Sequence, residues 1–143
     1  MVVYLSHSLG GDSLNYEARG NNSANAYDWL RFLCNATDWS ITMPWQAYVV
    51  ALHEIQRPRS IRDQLAILKR CDAIVFVGGE MSKQMEHERR IALEHGIAVI
   101  DLIDLGYYPP DPDRILSLIE TRRAAAFELV ERNIRYPTAP KRP

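Results

Sequence analysis

The strongest candidate for chemistry in this 143-residue chain lies in segment 82–92, Ser-Lys-Gln-Met-Glu-His-Glu-Arg-Arg-Ile-Ala. Projected with the helical period, Met85, Glu88, Ile91 and Ala92 share one stripe. The carboxylate of Glu88 therefore lies along an apolar face, while Glu86, Arg89, Arg90 and Glu94 project outward as a solvated surface. An acid on a core-facing stripe is costly to bury unless it is partnered or functional. The residues alone leave both readings open, the partnered one being an ion pair with Arg62 or a histidine.

Further candidates cluster where predicted strands end. Tyr4 either fills the core or orients a neighbouring carboxylate through its phenol. Asp63, three residues after Ser60, reads as the acidic member of a capping box, or as a second carboxylate reaching toward the site of Glu88. Trp45 and Gln46 offer an indole to stack on a base and an amide to bond it, although a tryptophan at such a place is more often core or interface. Ser6, His7, Gly10, Gly79 and Ser82 complete the set of candidate ligand contacts. Gly10-Gly11 permits a tight turn but follows neither a Rossmann nor a Walker pattern, so it is weak as a phosphate signal. The histidines at 7, 53, 87 and 95 lack metal-ligand spacing, and no metal or organic cofactor is expected. Cys34 and Cys71 lack the spacing of a zinc or redox motif and read as two reduced thiols.

The elements that must position these residues follow from hydropathy. Four short apolar runs, at 1–5, 40–45, 73–78 and 98–103, have the length and β-branched content of strands buried on both faces. Helical stretches at 22–36, 60–70 and 82–95 separate them, and Asp111-Pro112 opens a last helix running to about Arg135. Segment 46–56 fits neither period. Such alternation predicts a doubly wound α/β fold, Rossmann- or flavodoxin-like, with a mostly parallel sheet of four to five strands and helices on both faces. In that architecture ligands collect at the carboxyl ends of the strands. Residues 1–135 form one domain in this reading, and 136–143, with three prolines, a tail. A formal charge of −1 argues against a surface that coats polymeric nucleic acid. No apolar run approaches membrane-spanning length and the N-terminus lacks a signal pattern, so a cytoplasmic protein is expected.

Taken in order, Val3-Tyr4-Leu5-Ser6, the helix-opening Asp63, Cys71-Asp72-Ala73-Ile74-Val75, and Glu88 followed by Ala92, Gly96 and Val99 resemble the nucleoside 2-deoxyribosyltransferase superfamily, in particular its nucleotide N-glycosidase branch. The resemblance implies Glu88 as nucleophile at the anomeric carbon, Tyr4 as its positioning group, and Asp63 as an assistant at the sugar or base. It also implies a nucleoside or nucleotide substrate and a homodimer or higher homo-oligomer. The last helix, with Ile115, Leu116, Leu118 and Ile119 early and Phe127, Leu129 and Val130 later, carries a wider apolar surface than one sheet face needs, so that it is expected to take part in the contact. Ser82, six residues before Glu88, matches the monophosphate hydrolases, whereas the transferases carry an aspartate there. Two departures stand out: Gln84 replaces a usual glycine, and the C-terminal segment has no clear counterpart. The alternatives to hydrolysis are 2-deoxyribosyl transfer between bases and a non-catalytic nucleotide-binding or regulatory module.

Overall fold

The computed structural model describes residues 1–9, 16–46 and 57–135. Strands β1 (Val2–His7), β2 (Ser40–Thr42), β3 (Ala73–Val77) and β4 (Ala98–Asp101) alternate with helices α1 (Tyr16–Ala36), α2 (Arg57–Leu68), α3 (Lys83–Glu94) and α4 (Pro112–Arg135). The four strands are parallel and lie in the order β2-β1-β3-β4, so the chain leaves β1 toward one edge and then crosses back to β3. This is the doubly wound, flavodoxin-like α/β arrangement, and its topological switch point falls between the carboxyl ends of β1 and β3.

The central strands explain the continuous apolar runs. Every residue of β3 and all but the first of β1 are buried, because each strand is covered on both faces. Alternation along the strands then feeds two cores. On one face Val3, Leu5, Val75, Val77 and Ile100 meet Trp29 and Leu33 of α1 and Ile115 and Ile119 of α4. On the other, Tyr4, Ile74 and Phe76 meet Leu68 of α2 and Met85 and Ala92 of α3. No helix among the described residues is long and apolar enough to cross a membrane.

Several boundaries differ from those the sequence predicts. β1 continues to His7, because Ser6 and His7 keep pairing with Phe76 and Val77 although their side chains are polar. β2 stops at Thr42, and residues 44–46 are helical, Pro44 suiting the first position of a helical turn. β4 ends at Asp101, whose carboxylate accepts from the Ile103 N–H at 3.0 Å and starts a short 3-10 turn, Ile103–Leu105. α2 begins at Arg57, so Ser60 lies inside it and accepts a bond from the Gln64 amide at 2.7 Å; the capping box expected of Ser60 and Asp63 does not form. Gly10, most of segment 46–56 and the tail 136–143 lie outside the described residues.

Candidate functional site

Glu88 is carried on α3 with its side chain turned to the sheet, as the stripe of Met85 and Ala92 requires. The helix is set by Ser82, whose extended backbone and hydroxyl cap its start, accepting from the Met85 N–H at 3.2 Å. Only 3% of Glu88 is exposed. Its partners are two hydroxyl groups of β1: Tyr4 Oη donates to Oε1 at 3.1 Å, and Ser6 Oγ donates to Oε2 at 2.5 Å. Tyr4 and Ser6 are two residues apart, so the strand period aims both at α3. The ion pair with Arg62 does not form: Arg62 lies against Asp63 at 3.1 Å instead.

Burial drives the Glu88 carboxyl above its ordinary range by penalising the charged form, and the bonds from Ser6 and Tyr4 pull in the opposite direction. The Gln84 amide, one turn earlier, acts in that same sense, although its Nε2 makes no full hydrogen bond to a described residue. Tyr4 is likewise raised, first by burial and then by the adjacent Glu88 charge. The result is a desolvated carboxyl whose donors are neutral.

The other candidates fall into three places. Asp63 sits on α2 with its carboxylate 3.6 Å from Arg59 and 3.1 Å from Arg62, a surface ion-pair group of its own helix. Trp45 is 4% exposed and its indole donates to the Leu5 carbonyl at 2.7 Å, which makes it a core strut between the β2 exit and β1. Gln46 donates to Ser23 of α1. His7, next to Ser6, points to the opposite face of the sheet. There its Nδ1 lies 2.6 Å from the Ser8 carbonyl and its Nε2 2.6 Å from Asn25 Oδ1. Its ring rests against Gly78, where a Cβ would come within 2.5 Å of Nε2 and where φ is +100°. Gly79 (φ +82°) abuts the Tyr107 backbone in the same way. These two glycines let the segment after β3 close over the end of β1.

Arg89, expected in solvent, is half-buried: its guanidinium pairs with Asp101 at the end of β4 and lies 5.3 Å from the centre of the Phe76 ring. Nothing in the sequence linked Asp101 to Arg89. Among the described residues no group of three or more His, Cys, Asp or Glu side chains is placed to hold a metal ion. Cys71 is buried and pushed up to about 11, first by burial and then by Asp72, which leaves an unreactive thiol. No family model matches the chain, and no curated protein or solved structure matches it either.

Proposed function

We propose that this protein hydrolyses the N-glycosidic bond of a nucleoside 5′-monophosphate, with Glu88 as the nucleophile. The observation that carries the reading is a buried carboxyl at the switch point of the sheet, held by the Tyr4 and Ser6 hydroxyls with no cation on it among the described residues. A carboxyl serving only the fold would gain more from a counter-ion or from replacement by an apolar side chain. Perturbed acids at the ligand edge of an α/β sheet are characteristic of chemistry instead.

In the proposed reaction a Glu88 oxygen attacks C1′ while the C1′–N bond breaks. The base leaves with that electron pair and takes a proton from water, while Asp63 assists at the sugar or the base. Water then attacks C1′ of the glycosyl ester, loses a proton to solvent, and releases the Glu88 carboxylate. Tyr4 and Ser6 stabilise the carboxylate form and fix which lone pairs face the sugar. Ser82 meets the phosphate: its oxygen already accepts from Met85 N–H, its own O–H remains to donate, and a helix N-terminus favours an anion. The role of Asp63 and the nucleotide class rest on the resemblance to the deoxyribosyltransferase superfamily.

Two further parts of the reading concern the setting. The free thiols of Cys34 and Cys71 fit the cytoplasm. The apolar side chains of Leu116, Leu129 and Ile134 on α4, the last 72% exposed, suit contact with a second copy of the chain. The test is incubation with a panel of nucleoside 5′-monophosphates, with chromatography for free base. Release that disappears in Glu88→Gln supports the assignment. No release from any nucleotide, or a near wild-type rate in the variant, refutes it. Base exchange outrunning hydrolysis would give the transferase alternative.

A further inference from the structure

We infer that the Arg89–Asp101 pair is a positioning device for Glu88, one that fixes the rotation of α3 and keeps a cation away from the carboxyl. The register of the sheet carries this. Ser6 pairs with Phe76, and Phe76 with Asp101, so the three lie in one row across β1, β3 and β4 on the face that α3 covers. Over this row α3 places two consecutive residues whose side chains diverge by about 100°. Glu88 bonds the β1 member, Ser6; Arg89 passes above the Phe76 ring and pairs with the β4 member, Asp101. The helix is thus tied at both ends of a span of two strand spacings, roughly 10 Å, and cannot roll without breaking one tie.

Asp101 is itself held from three sides. Its Oδ1 accepts from Ile103 N–H at 3.0 Å, its Oδ2 takes Arg89, and its carbonyl accepts from Arg122 Nη1 at 2.8 Å. Arg122 in turn grips Asp104 through Nη1 and Nη2 of its guanidinium. The anchor of α3 therefore extends into α4. Among the described residues the groups facing Glu88 are Tyr4 and Ser6 from β1 and Gln84 from its own helix. On the α2 side Asp63 is occupied by Arg59 and Arg62, and on the β4 side Asp101 is occupied by Arg89. Arg89 is the nearest guanidinium in sequence to Glu88, and Asp101 is what draws it to the other end of the row.

The inference takes Glu88 as the acting group, as proposed above, but its readout is the titration of Glu88 rather than turnover, so the two can fail separately. The experiment is carbon-detected NMR of the Glu88 carboxyl in the full chain, assigned by its disappearance in Glu88→Gln. In Asp101→Asn, which keeps the acceptor for Ile103, the Arg89 charge is left uncompensated and free to turn toward Glu88, the carboxyl whose titration is read. Its midpoint should then fall by about one pH unit, the size of a single new charge interaction. In Arg89→Met, which keeps the apolar stem over Phe76, the tie is lost without a free cation. Loosened bonds from Tyr4 and Ser6 should then raise the midpoint. Asp101→Glu, which restores the ion pair, should return it to the wild-type value. If Asp101→Asn does not fold, the other two variants decide. Folded variants whose midpoints all stay at the wild-type value would overturn the inference, since a pair that served stability alone would lower the unfolding midpoint and leave Glu88 unmoved.

Discussion

Replacing Glu88 with glutamine keeps the shape of the side chain and removes its ionisation, which should change how stability depends on pH. In the folded wild type, burial raises the Glu88 carboxyl above its ordinary value of 4.5 despite the bonds from Ser6 and Tyr4. The folded state therefore holds this proton at pH values where the unfolded chain has lost it. The stabilisation linked to that proton is complete below the ordinary value and declines as pH rises toward the raised one, by up to about 1.4 kcal/mol per pH unit. The glutamine variant has no such decline. Its amide can donate to Ser6 Oγ or accept from Tyr4 Oη, because hydroxyls serve as donor and acceptor alike. Urea unfolding of both proteins at constant ionic strength, from about pH 4 to pH 8, measures the difference. The variant should gain on the wild type steadily as pH rises above the ordinary carboxylate range, with the two closest at the acid end. A difference that does not change with pH would show that Glu88 titrates as an exposed acid does, and the account of the site would fall with it.

Trp45→Phe should cost about 1–3 kcal/mol of unfolding free energy, because it removes the indole donor to the Leu5 carbonyl and some core volume. An unchanged urea midpoint would refute the strut role. Ser82→Ala should lower stability by about 0.5–2 kcal/mol through loss of the α3 cap. It should also narrow the preference for nucleoside 5′-monophosphates over free nucleosides, read from initial rates on both. Sedimentation equilibrium at micromolar concentration should give at least a dimer, and aspartates in place of Leu129 and Ile134 should shift it toward monomer; a monomer mass for the wild type removes the shared-surface proposal.

The fold was legible because the signals behind it are local. Buried strands such as Ala73–Val77 are continuous apolar runs, and α4 begins and ends within a residue or so of where Asp111-Pro112 and Arg135 put it. The strand ends were less legible. Ser6 and His7 are polar residues in a buried strand, and only their partners on α3 and α1 make them tolerable there. Glu88 stood out as a candidate from helical period and Tyr4 as a phenol able to orient a carboxylate, whereas Ser6, 82 residues from Glu88, was named only as a ligand contact and its bond to the carboxylate was not foreseen. Arg89 was misread because a charge beside a buried stripe is usually solvated. Its contact with Asp101 depends on the register of β3 and β4, which no single segment encodes.

The alternation along β1 ties two otherwise separate parts of the molecule to one short stretch of sequence. Tyr4 and Ser6 serve Glu88 on one side of the sheet, while His7 serves Asn25 on the other, with Gly78 packed against its ring. Inserting or deleting a single residue within Val2–His7 would exchange the cargo of the two faces. An imidazole would then be delivered where α3 expects a hydroxyl, and hydroxyls where α1 expects a ring. The reading frame of the first strand is therefore inherited whole, or the protein loses both sides at once.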